Sequence, residues 1–165
     1  MPEAIQPKEN REFTASIGNW TGPITWNPGP IEGKYGVGII TIPPGESNVQ
    51  ARLQYPYFKP RPGKENTLLI YILAIGDGSI PFEYRAIFTD GIQTLTHPWW
   101  EFATSNYWIY TGGVQELPAD WITNQSRLII DIKKDDLLGA QIAIDGLSVL
   151  YISAKKQYLP LVGIG

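Results

Sequence analysis

Five large aromatic residues, Trp99, Trp100, Tyr107, Trp108 and Tyr110, fall within residues 99–110. Amphipathic rings near a surface, set among a few polar groups, are the usual material of a saccharide site. The competing use is a core or a subunit interface, where large aromatics mostly end up. Trp108 and Tyr110 share strand parity, so at most one face of their strand can be a platform. Pro98-Trp99-Trp100 reads as a loop entering a strand.

Catalytic constellations are poorly supplied. The single histidine, His97, precedes Pro98. Nothing near it offers the carboxylate and nucleophile of a triad, so it reads as a loop residue. Sixteen acidic residues make some carboxylate pair inevitable, so their number is no argument for glycoside hydrolysis. Asp135, Asp136 and Glu65 read as solvated turn residues. Pro62-Gly63-Lys64 is not a phosphate loop, because Phe58 and Glu65 stand where that loop needs Gly and Ser or Thr. Cysteine is absent, which removes disulfides, thiolate metal sites and cysteine nucleophiles. The chain is therefore expected not to be an enzyme. Tyr57, Lys59, Arg61 and Lys64 crowd a proline-rich stretch. That stretch suits a phosphate contact, a polyproline ligand or a solvated connector.

Asp145 is the other group that could do chemistry. It interrupts Gln141–Ser153, a stretch apolar at both parities. A strand of that kind is normally buried on both faces, and a buried carboxylate needs a partner or a metal. Asp145-Gly146 between two apolar runs also fits a two-residue hairpin turn.

The elements that must carry these groups read as strands. Val49, Ala51, Leu53 and Tyr55 alternate with polar residues, as do Phe82, Tyr84, Ala86 and Phe88, and Leu128, Ile130 and Ile132. Thr67–Ile75 is continuously apolar and reads as a central strand. Gly36–Ile42, Phe13–Ile17 and Asn106–Tyr110 add three more. Turn signals separate them: Pro43-Pro44-Gly45, Gly76-Asp77-Gly78, Asp90-Gly91 and Gly112-Gly113. About eight antiparallel strands without helices of more than two turns predict an all-β sandwich or barrel. At 165 residues the chain is one domain, able to bury roughly 70% of its unfolded surface. Net charge of −3 and a pI near 5.1 give no general attraction to nucleic acid or anionic membranes. No run of 18 apolar residues exists, and residues 1–10 lack the pattern of a signal peptide.

Four patches, in order, resemble the galactose-binding-like jelly roll of many carbohydrate-binding modules. They are Asn10-Arg11-Glu12-Phe13 with Gly18-Asn19-Trp20; Gly36-Val37-Gly38; Leu53–Phe58 with Pro62-Gly63-Lys64 and Thr67–Tyr71; and Leu117-Pro118 with Arg127–Ile132 and the 141–153 strand. The resemblance implies a jelly-roll β-sandwich over residues 11–153. It implies one long final strand, with a bulge or kink at Gly146, in place of the hairpin. In the resembling modules this Asp often helps hold a structural calcium, but Gly146 and Thr14 replace two carboxylates the family often has, and the preferred alternative is an Asp145 hydrogen-bonded to backbone N–H groups at the bulge. Otherwise no cofactor is expected.

Residues 1–10 and 154–165 read as N- and C-terminal arms. Leu159, Leu161, Val162 and Ile164 make the second arm apolar and are candidates for assembly contacts. Bacteriophage virions carry jelly rolls of this kind as capsid decoration or tail components. The expected function is accordingly a non-enzymatic structural protein of a virion, cytoplasmic before assembly, homo-oligomeric and bound to neighbouring subunits. The alternative is a carbohydrate-binding module that recognises a saccharide through the aromatics of residues 99–110. Neither reading involves nucleic acid or a membrane.

Overall fold

The computed structural model describes residues 2–76, 80–102 and 107–151. Among these residues ten strands form two antiparallel sheets. The strands are β1 (Ile24–Asn27), β2 (Val37–Ile42), β3 (Asn48–Gln54), β4 (Glu65–Ala74), β5 (Phe82–Thr89), β6 (Thr94–Thr96), β7 (Trp100–Phe102), β8 (Ile109–Glu116), β9 (Arg127–Lys133) and β10 (Ala140–Tyr151). The first sheet runs β1-β2-β10-β4-β8; the second runs β3-β9-β5-β6, with β7 also paired to β5. This is the expected jelly-roll sandwich.

Alternation explains the layering. Leu68, Ile70 and Ile72 of β4 point inward with Ile142, Ile144 and Val149 of β10. They meet Leu53, Ala86, Phe88, Leu128, Ile130 and Ile132 from the second sheet. The alternate positions of β4, Thr67, Leu69 and Tyr71, are only partly covered. The outer face of the first sheet is thus left for other uses. A one-residue slip would exchange the two sets, so the apolar pattern fixes the register. Among the described residues no helix is long and apolar enough to cross a membrane.

Residues 141–151 form one strand, not a hairpin. The β10–β4 register shifts between Asp145 and Ser148, and Gly146 takes φ 58. This is a bulge, and a glycine is suited to its left-handed backbone. Glu3 covers the irregularity: its carboxylate accepts Val149 N–H at 2.7 Å and Ser148 Oγ–H at 2.6 Å. Ala4 and Ile5 are buried in the core. This end of the expected N-terminal arm thus packs against the sandwich.

Two further expectations are corrected. Phe13–Ile17 is not a strand. Phe13 ends the short helix Glu9–Glu12 with φ 48, and the Glu9 carboxylate accepts the N–H groups of Ala15 and Ser16. The strand expected at residues 106–110 instead spans Ile109–Glu116. The Asn10 and Gly18-Asn19-Trp20 patches have a common physical basis. Buried Asn10 accepts Asn19 N–H at 2.6 Å, and its carbonyl accepts Trp20 Nε1–H at 2.8 Å. A Cβ on Gly18 would fall 2.1 Å from Asn10 Oδ1, so only glycine fits beside it.

Candidate functional site

Three neighbouring strands of the first sheet place Asp145, Tyr71 and Tyr110 in one lateral row, because β10 pairs Asp145 with Tyr71 and β4 pairs Tyr71 with Tyr110. The two tyrosine rings are tilted against each other with centroids 4.3 Å apart. Tyr110 is 52% exposed. On the same face the next positions are Leu69, opposite Gly112 on one side and Ser148 on the other. Gly112 brings no side chain, so the sheet floor beside Tyr110 stays low.

A strap lies over one end of the row. The connector from β1 to β2, residues 28–36, crosses the outer face and is closed on itself by reciprocal hydrogen bonds between Ile31 and Lys34. It covers a small second apolar cluster of Val37, Ile39 and Ala143, against which Ile31 and Trp108 pack. Trp108 Nε1–H donates to Ile31 O at 2.9 Å. From the strap Lys34 reaches back to the row. Its Nζ lies 4.1 Å from the Tyr71 ring centroid, 5.6 Å from that of Trp108 and 3.7 Å from Asp145 Oδ2. An ammonium between two π faces and beside a carboxylate is held on three sides.

Burial pushes the Asp145 carboxyl above its usual range, opposed by the Gly146 N–H and the Lys34 ammonium. Among the described residues its buried Oδ1 has no hydrogen-bond partner. A backbone N–H and an ammonium, the kind of partners preferred for this residue, stand beside the carboxylate. Calcium needs six to eight oxygens, and here one carboxylate already faces an ammonium. Among the described residues no group of three or more His, Asp or Glu side chains could hold a metal.

The aromatic cluster of residues 99–110 is divided between the two sheets. Trp108 and Tyr110 belong to the outer face of the first sheet, and Tyr107, 60% exposed, precedes them. Trp99 belongs to the second sheet, where its ring centroid lies 4.2 Å from the Arg85 guanidinium and 4.8 Å from Lys133 Nζ. Those cations are themselves paired at 2.9 Å with Asp131 and Glu83. Trp100 pairs with Tyr84 at the sheet edge and is 47% exposed. Tyr71 and Lys34 were not among the sequence candidates. Tyr71 sits inside a continuously apolar run, and only the β4–β8 register reveals its partner. His97 lies in the loop between β6 and β7, as expected, but its ring turns inward: among the described residues its two buried nitrogens have no hydrogen-bond partner, and the ring meets the edge of Phe88. Leu159, Leu161, Val162 and Ile164 lie outside the described residues.

No protein-family profile and no curated protein matches the chain. Solved structures do. An arabinose-bound GH51 α-L-arabinofuranosidase is similar over 90% of this chain, with TM-score 0.72 and 13% identity. This chain spans only 26% of that enzyme. The CBM22-1 xylan-binding domain of Paenibacillus barcinonensis Xyn10C is similar over 88% of this chain and 94% of its own, with TM-score 0.65 and 14% identity. The enzymatically active domain of bacteriophage CBA120 tailspike protein 4 is similar over 91% of this chain and 21% of its own, with TM-score 0.62 and 12% identity. At these identities the likeness is one of fold, and the fold is the jelly roll of carbohydrate-binding modules, which also occurs in a phage tailspike.

Proposed function

We propose that this protein is a saccharide-binding jelly roll that works without catalysis, using the outer face of its first sheet. The observation that carries the reading is the row Asp145–Tyr71–Tyr110, with Lys34 and Trp108 closing one end. An exposed ring offers its face to the C–H side of a sugar, while hydroxyls find the phenols and Lys34. The tyrosines stand on paired strands, and the strap is fixed by the Trp108 hydrogen bond, so little ordering is needed on binding. The carbohydrate-binding modules among the structural neighbours support this reading.

Affinity electrophoresis through gels containing soluble xylan, β-glucan or galactan tests it. One polysaccharide should retard the protein, and Tyr110→Ala should abolish the retardation while far-UV circular dichroism is unchanged. Retardation by none of a broad glycan panel, or retardation indifferent to both Tyr110→Ala and Tyr71→Ala, overturns it. Reducing-end assays on the retarding polysaccharide should detect no cleavage. A second reading, a virion component, has the tailspike likeness in its favour. It predicts assembly contacts through the chain ends and is compatible with glycan binding on the sheet face.

A further inference from the structure

A second concave site lies at the end of the sandwich, away from the aromatic row. A pocket of about 330 Å³ is lined by Gln54, Tyr55, Asn124, Gln125, Ser126 and Arg127. It sits where β3 ends beside the start of β9, against the short 3-10 turn Thr123–Gln125 that leads from β8 into β9. We propose that this pocket binds a single anionic sugar residue, one carrying a carboxylate, independently of the sheet face.

The walls are built in advance. Tyr55 N–H donates to Ser126 O at 2.9 Å, which ties the two sides together. Trp121 Nε1–H donates to Ser126 Oγ at 2.8 Å, and both residues are buried. Asp90, fully buried, accepts Ile122 N–H at 3.0 Å and so anchors the loop from the second sheet. The loop that carries Asn124 and Gln125 is therefore held at both ends.

The lining then selects the ligand. Among the described residues Arg127 is the one charged lining group, and no carboxylate lines the pocket. Lys59 adds a second positive charge nearby, its Nζ 5.4 Å from the Tyr55 ring centroid. Within the described residues the side chains of Gln54, Asn124, Gln125 and Arg127 have no hydrogen-bond or ion-pair partner. Three carboxamides each present a donor and an acceptor, the pattern a sugar hydroxyl can answer on both sides. A guanidinium fork matches a carboxylate with two parallel bonds. Tyr55, 38% exposed, supplies the ring face. The volume is at the low end of ligand pockets, about 300–1,000 Å³, which suits one sugar residue and not an extended chain. The basic stretch around Lys59 thereby gains a use beyond that of a connector.

Backbone amide NMR on the full chain, titrated with D-glucuronate, reads the site directly. The amides of Tyr55, Ser126 and Arg127 should shift and saturate. D-glucose and inorganic sulfate should each bind at least roughly tenfold more weakly, the equivalent of one lost polar contact pair. Arg127→Gln should remove glucuronate binding while the remaining spectrum keeps its dispersion. Tyr110→Ala should leave it unchanged, which separates this pocket from the sheet-face site. Three results overturn the proposal: no saturable shift at those amides, equal binding of glucose, or sulfate binding as well as glucuronate. If Arg127→Gln unfolds the protein, Asn124→Ala with Gln125→Ala on the exposed turn replaces it, and unchanged glucuronate affinity in that variant also overturns the proposal.

Discussion

A Cβ on Gly146 would lie 2.8 Å from Cδ2 of Tyr71, so the bulge in the final strand and the aromatic row are built against each other. The glycine is required twice over, by its φ of 58 and by the ring that fills the space above it. Gly146→Ala should cost about 1–2 kcal/mol for the left-handed backbone alone. It should also displace the Tyr71 ring and with it the Tyr110 contact. Urea unfolding should show the lower midpoint. The same variant should bind the retarding polysaccharide more weakly even under conditions where it is fully folded.

Gly113 and His97 form a similar pair across the open edge between the sheets. A Cβ on Gly113 would sit 2.5 Å from His97 Nε2. Overpacking of this kind typically costs about 1–3 kcal/mol. Gly113→Ala should therefore destabilise the fold, and His97→Ala introduced with it should restore part of the loss. A double-mutant cycle by urea denaturation measures that coupling. Additive losses would mean that the two residues do not press on each other.

His97 should also make stability depend on pH. Burial lowers its pKa below 6.5, with the Ala86 backbone contact opposing. The folded state therefore prefers neutral imidazole, and the unfolded state takes up the proton first. Stability from this group is fully present above pH 6.5 and declines as pH falls from there toward the lower folded pKa. Thermal unfolding of the wild type should show this slope. A His97→Gln variant should be flatter in the same window, and an identical slope would remove His97 as its source.

The sequence showed the sandwich more clearly than the site. Strands such as β3, β5 and β9 announce themselves because each has one dry and one wet face. Phe13 misled because it is apolar and follows the helix, yet it turns the chain with a positive φ. The site depends on register, which links Tyr71 to both Asp145 and Tyr110 over long separations in sequence. Lys34 arrives from a strap tied by its own Ile31–Lys34 hydrogen bonds and, across the fold, by the Trp108 hydrogen bond to Ile31. Local signals marked Asp145, a carboxylate inside an apolar run, and Trp108 and Tyr110, part of an aromatic cluster. Trp99 and Trp108 are close in sequence but belong to different sheets, and proximity along the chain could not separate them.

Residues 159–165, Leu-Pro-Leu-Val-Gly-Ile-Gly, carry four large apolar side chains. They lie outside the described residues, and the expectation rests on composition. Burying one large apolar side chain is worth about 1.5–3 kcal/mol. Ordering a backbone residue costs about 1–2 kcal/mol, so four such side chains offset seven residues only in part. A segment so balanced gains most by ordering on a neighbouring subunit, which is the contact a virion component would need. The described core is already closed without it: Tyr151 N–H donates to Pro2 O at the end of β10, and Val149 is fully buried. Deleting residues 159–165 should leave the circular dichroism spectrum and urea midpoint unchanged. It should lower the mass measured by sedimentation if the full chain self-associates. A truncated protein that unfolds would assign the tail to the intramolecular core, and a monomeric full chain would remove the self-assembly role.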